Sequence, residues 1–150
     1  MMEFTQTMQN VIKEFAMIRK VYARAFAESF VQENFSPNEV NTLIFLARNP
    51  SLNTSRDLSV YLDVSKGLVC RSVDALIKKG FITAGDDKND RRVQRLVLTE
   101  KAEPVIQEIF KVNQEISRDI FQDIPEEEVQ QMERTLRKIL QKFHERLEIK

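Results

Sequence analysis

The sequence has one cysteine, Cys70, in 150 residues. No internal disulfide can form, and a lone thiol suits a reducing interior, so the cytoplasm is the expected compartment. Histidine is equally scarce: His144 is the only one and lies far along the chain from Cys70. A zinc site needs several nitrogen or sulfur donors, so neither a metal nor another cofactor is expected. The three glycines, Gly67, Gly80 and Gly85, build no phosphate-cradling loop, and no nucleophile stands with a base and an orienting group. An enzyme is therefore the reading least supported, and no catalytic residue is named. No apolar run approaches the roughly 18 to 20 residues that a bilayer span needs. Met1-Met2-Glu3-Phe4 also lacks a basic segment followed by an apolar block, so neither secretion nor membrane anchoring is expected. An excess of charge is missing too, with 23 basic residues against 23 acidic. That balance excludes a general positive coat, and any nucleic-acid footprint has to be local.

What is present fits a single compact domain with accessory helices: at 42% hydrophobic the chain can fill a core. All three glycines fall in the middle third, and the glycine-free flanks read as long helices. Phe4, Met8, Val11, Ile12, Phe15, Ile18, Tyr22, Ala25, Phe26 and Phe30 recur at steps of three and four, which predicts one helix of about seven turns. A domain of this size does not easily cover so long a stripe. At the other end Val129, Met132, Leu136, Ile139, Phe143 and Leu147 follow a near-heptad spacing that asks for a partner helix.

The middle is more finely divided. Ser36-Pro37-Asn38-Glu39 has the pattern of a capping box and opens a short helix that Asn49-Pro50 ends. Thr54 opens a second, with Leu58, Tyr61 and Leu62 inward. Ser65 opens a third, with Val69, Val73, Leu76 and Ile77 at helical spacing and Gly80 as its stop. Phe81 to Ala84 and Val93 to Leu98 alternate as strands around a polar segment, Gly85 to Arg92, predicting a hairpin with a charged tip. Thr99 is expected to cap a further long helix, and Ile124-Pro125 to break the chain before the last one. The fold expected is mainly α: a winged helix-turn-helix over about 36–99, with a two-stranded β-wing, between dimerisation helices over 1–33 and 100–150.

Between residues 53 and 99 nine cations face six carboxylates, a local excess of three positive charges. On a helical wheel the side of the third helix opposite Val69, Val73 and Leu76 centres near Gly67, Arg71 and Lys78. Gly67 permits close approach, and Arg71 offers a fork that suits guanine O6 and N7 or a phosphate. Ser65 and Lys66 sit at the helix N-terminus, where phosphate is favoured. A solvated basic face is the plainer explanation of these residues taken alone. The tip Asp86-Asp87-Lys88-Asn89-Asp90-Arg91-Arg92 is more specific, because paired arginines on a projecting hairpin can enter a narrow minor groove. A salt-bridged turn is the alternative there.

Asp57-Leu58-Ser59 through Val64-Ser65-Lys66, Val73 to Ile82, Asp90-Arg91-Arg92 and Leu98-Thr99-Glu100-Lys101 together resemble the MarR family of bacterial and archaeal dimeric transcription regulators. The motif stretch covers about 50 residues, and the flanking helices match in order and length. The resemblance implies that Ser65, Lys66, Gly67, Leu68 and Arg71 enter the major groove. Arg92 probes the minor groove, braced by Asp90, while Arg91 meets phosphate; Lys78 and Lys88 complete the candidate DNA-binding set. Gly67 and Leu68 stand where the family usually has small hydroxyl residues, and Ala102 replaces a common glycine, so base preference does not carry over. The resemblance further implies a homodimer on a pseudo-palindromic duplex, with repression as the family default. It also implies a small aromatic or phenolic effector, for which Phe15, Tyr22, Phe26, Phe30, Phe35 and Phe45 are candidate lining. Plain core is the commoner explanation of those rings, Cys70 reads as a packing residue on the core flank of the third helix, and His144 has no assigned role. The rival reading is a winged helix that binds protein and not DNA.

Overall fold

The computed structural model describes residues 2–148, with side chains from Gln6 onward, so Phe4 of the first stripe lies outside the described side chains. Six helices and one hairpin follow in order: α1 (Met2–Ser29), α2 (Pro37–Arg48), α3 (Ser55–Leu62), α4 (Lys66–Lys79), β1 (Ile82–Asp86), β2 (Gln94–Leu98), α5 (Ala102–Phe121) and α6 (Glu126–Glu148). This is the mainly α winged helix-turn-helix expected from the patterning. The chain divides into two compact units after Asn113.

In the first unit the core gathers one apolar face from each short element. Leu43 of α2, Leu58 of α3, Leu76 of α4, Ile82 of β1 and Ile109 of α5 are all fully buried. Local sequence decides where these helices start. Ser36 Oγ accepts from Glu39 N–H at 3.2 Å, and Pro37 fills the first turn of α2, where its missing N–H costs nothing. Thr54 and Asp57 form a full reciprocal capping box on α3. Asp63 then turns the chain in the left-handed region, φ 51°, and only three residues, Asp63 to Ser65, separate α3 from α4. Gly80 closes α4 at φ 85°.

Several expectations need correction. Glu39 does not return to the Ser36 backbone; its carboxylate, buried beside α4, pairs with Lys79 Nζ at 2.6 Å. Tyr61 is exposed, with its ring stacked on Phe45 at 5.8 Å, because at 100° per residue it lies about 60° from buried Leu58 on the side away from Leu62, at the edge of the buried face. Thr99 does not cap α5 with its hydroxyl, which donates to the Gly80 carbonyl at 2.7 Å; its own carbonyl accepts from Ala102 N–H where the helix begins. The strands are shifted from where the alternation puts them: β1 runs further toward the tip, and β2 starts at Gln94 and not Val93. Gly85 and Asp86 belong to β1, opposite Arg95 and Gln94, while Phe81 lies in the core before the strand starts.

Two helical faces find little cover. On α1 Val11, Ile12, Phe15 and Ile18 are exposed. In the second unit α6 buries no residue, and Met132, Leu136, Phe143 and Leu147 of its near-heptad seam face outward. Among the described residues no helix is long and apolar enough to cross a membrane.

Candidate nucleic-acid interface

Helix α4 presents the first part of the site. Val69, Ser72, Val73 and Leu76 are buried, and Leu68, Ala75 and Lys79 are half-buried on one flank. The buried arc is thus rotated toward Ser72, whose Oγ is satisfied by the Leu68 carbonyl at 3.0 Å. The opposite flank opens accordingly. Lys66, Gly67, Cys70, Arg71, Asp74, Ile77 and Lys78 are exposed. Ser65, Lys66, Gly67, Arg71 and Lys78 therefore stand on the accessible side as expected, while Leu68 is half-buried beside the core. Cys70 is a correction: at 100° per residue it lies about 90° from the centre of the Val69, Val73, Leu76 stripe, on the flank that faces outward, and it is exposed. Ile77 shares that flank and is likewise exposed.

The N-terminus of α4 is capped by Ser65, whose Oγ accepts from Leu68 N–H at 3.2 Å. The cap leaves first-turn amides without intrahelical partners, and the helix dipole favours an anion there. Nothing fills Gly67's exposed side: a Cβ built on it would meet no atom within 4 Å. Lys78 lies three turns further on, about 18 Å along the axis from Lys66.

The wing supplies the second part. Asp87 Oδ2 accepts from the N–H groups of Asn89 and Asp90, both at 3.1 Å, which folds the tip after β1. Asp90 Oδ1 then accepts from Arg92 N–H at 3.0 Å and from Arg92 Nε at 3.3 Å. Aspartate and arginine two residues apart are thus brought together, with the Arg92 side chain 92% exposed. Lys88 and Arg91 are exposed as well.

A third group was not singled out from the sequence. Arg95 Nε donates to Asp87 Oδ1 at 2.9 Å and its Nη1 to Asn53 Oδ1 at 3.1 Å. Asn53 in turn donates from Nδ2 to the Leu96 carbonyl at 3.0 Å and accepts Leu96 N–H on its backbone carbonyl at 2.8 Å. These contacts hold the Asp87 carboxyl below its ordinary value, through the Arg95 hydrogen bond first and the Asn89 amide next. The Asp87-x-x-Asp90 spacing hints at the turn, but nothing local signals a partner more than forty residues away.

Pairing also sorts the nine cations between Asn53 and Thr99. Lys79, Arg92 and Arg95 have carboxylate partners within 4 Å. Arg56, Lys66, Arg71, Lys78, Lys88 and Arg91 have none among the described residues, and all six are exposed. Among the described residues no three His, Cys, Asp or Glu side chains converge on a metal position.

A separate cavity of about 590 Å³ opens between α1 and α2 in the first unit, walled by Tyr22, Phe26, Phe35, Val40 and Ile44, with Arg19 among its polar neighbours. Of the aromatic set read from the sequence, Tyr22, Phe26 and Phe35 line it. Phe30 is buried in the core and Phe45 stacks on Tyr61.

Residues 33–93, from the middle of the α1–α2 connection through the wing tip, match the profile of the MarR family. The fold is also shared with solved structures. A MarR protein from Peptoclostridium difficile superposes with a TM-score of 0.81 at 22% identity, over 94% of this chain and 92% of that one. FabT of Streptococcus pneumoniae, solved in complex with DNA, gives 0.77 at 22% identity over 95% and 98%. MepR of S. aureus, also in a DNA complex, gives 0.74 at 21% identity over 86% and 93%. Over the matched segment, which spans the tight helix pair and the wing, the chain is similar to the MarR family, and its winged-helix fold is the one these structures share.

Proposed function

We propose that the chain is a sequence-specific double-stranded DNA-binding transcriptional regulator, a repressor acting in the cytoplasm as a homodimer on a pseudo-palindromic operator. The observation that carries this reading is the sorting of charge. Lys79 and Arg95, which hold the fold together, are paired with carboxylates, Arg92 is braced by Asp90 with its side chain 92% exposed, and six further exposed cations between Arg56 and Arg91 are left for an external polyanion. In this reading Ser65 to Arg71 enter the major groove and Lys78 meets phosphate beyond it. Arg92, held by Asp90, enters the minor groove, with Lys88 and Arg91 on the adjoining backbone. FabT and MepR, which share the fold, were solved on DNA, which supports the same use of this surface.

The exposed apolar faces of α1 and α6 support a second copy as the partner. A twofold pair placing two α4 helices about 34 Å apart would meet successive major grooves, about 10 base pairs from centre to centre. The α1–α2 cavity lies in the size range of small-molecule sites, and its three aromatic walls suit a small aromatic or phenolic effector. Such a ligand acts by favouring one spacing of the two reading helices over the other.

Salt titration of binding to a mixed-sequence duplex tests the central claim. If the six free cations meet phosphate, log K falls against log salt with a slope of about −5 per chain. A flat dependence, or no binding, overturns the reading and favours a protein-binding winged helix.

A further inference from the structure

The wing is a two-stranded hairpin of five-residue strands, a unit that is marginal without support. Ile82 and Leu96 anchor its base in the core, and its polar support comes from Asn53. We propose that Asn53 and Arg95 are positioning residues that, through Asp87, fix the wing tip so that Arg92 is presented to DNA in one place; the inference rests on the DNA-binding reading above.

The contacts form an unbroken path. Asn53 holds β2 through two bonds to Leu96, and its side-chain oxygen holds Arg95 Nη1. Arg95 Nε holds Asp87, Asp87 holds the amides of Asn89 and Asp90, and Asp90 holds Arg92. The next residue after Asn53 is Thr54, the N-cap of α3, so the path ends on the helix pair itself. Each member is chemically specified. Asn53 must donate and accept at once. Arg95 must reach two acceptors with one planar fork, which lysine, a point charge on a flexible stem, does not do. A tip fixed in advance avoids the ordering cost that a loose arginine pays when it binds.

Arg95→Lys is the decisive variant, because it keeps the charge that a direct phosphate contact would need and removes the fork. It is compared with Asn53→Ala, Arg92→Ala and the Arg92→Ala/Arg95→Lys pair, with circular dichroism and urea unfolding verifying the fold of each. Nitrogen-15 relaxation is expected to show the amides of Asn89 to Arg92 falling from order parameters of about 0.85 toward about 0.6 in Arg95→Lys and Asn53→Ala, with α4 unchanged. Affinity for a mixed-sequence duplex should fall about three- to tenfold in each, with no further loss when Arg95→Lys is added to Arg92→Ala. Unchanged order at the tip, or additive losses, overturns the proposal. If the tip loosens while Arg92→Ala itself leaves affinity intact, the wing does not touch DNA, and it is the functional reading that fails and takes the positioning role with it.

Discussion

Lys79 shows how one side chain can tie three parts of the first compact unit together. Its ammonium pairs with Glu39 at 2.6 Å, donates to the Asn34 carbonyl at 3.1 Å and lies 5.2 Å from the centre of the Phe35 ring. The Glu39 side chain is 9% exposed, so Lys79→Ala would strand a nearly buried carboxylate, at a cost of roughly 3 kcal/mol. The Lys79→Met/Glu39→Met pair should lose less than Lys79→Ala alone, because neither charge is left behind. Urea unfolding of the three proteins checks the order. The sequence pattern pointed Glu39 toward its own helix cap, since a capping box is read within four residues whereas the true partner lies forty residues on. Thr54 and Ser65, whose partners are local, were legible. A second residue-level prediction concerns Asp87. Its carboxyl is depressed in the folded protein, so the stabilisation it confers is complete above its unfolded value and is lost as pH falls through the folded one. The tip should stay ordered from neutral pH to about pH 4 and loosen below. An NMR titration of the Asp87 carboxyl should have its midpoint below that of a peptide aspartate, and Asp87→Asn should remove the step.

At the scale of elements, turns set the angle at which α4 and the wing stand. Gly80 ends α4 at φ 85°, and a Cβ there would meet only the side chain of Lys101, at 3.6 Å and beyond. Space is not the obstacle; the left-handed backbone is. Gly80→Ala should therefore cost about 1 kcal/mol, seen as a lower urea midpoint with unchanged slope. Element order and the caps at Ser36, Thr54, Ser65 and Gly80 could be read from the sequence because glycine, proline and hydroxyl residues act over a few positions, whereas the Thr99 hydroxyl is taken by the Gly80 carbonyl. The ends of the strands could not, because Asp86 enters β1 by pairing with Gln94, whose amide donates to its carboxylate at 2.6 Å. The face of α4 was likewise placed only approximately. Alternation within one helix says which residues can share a side, but the neighbours decide how far that side is rotated. Here the rotation buries Ser72 and brings Cys70 and Asp74 forward, so the face carries one carboxylate among its cations. If α4 reads the major groove, Asp74→Asn should strengthen binding to mixed-sequence duplex and reduce the preference for the operator over it, measured as the ratio of the two dissociation constants.

For the whole molecule, zero net charge conceals a division of labour: the residues between Asn53 and Thr99 are net basic and the remainder net acidic. Arg71→Ala should cost about 1 to 3 kcal/mol on a specific duplex if its fork meets a base, whereas Lys78→Ala should weaken all duplexes alike and reduce the salt slope by about one. The apolar faces make a further prediction. Leu136→Glu puts a charge into the exposed seam of α6 and should yield a monomer by sedimentation, with duplex affinity falling by more than tenfold as the second reading head is lost. That α6 wanted a partner was visible in its spacing; which surface covers it was not, because a heptad seam specifies a helix and not a sequence.

A helix with no fully buried residue has a consequence for how a regulator built on it would behave in a cell. Where the seam is covered only by another copy, mass action links the fraction of competent protein to how much of it has been synthesised. The abundance of the chain then becomes an input in its own right. Dilution by growth and division would release the operator even with no effector, and a copy with a damaged wing would sequester intact copies in half-functional pairs.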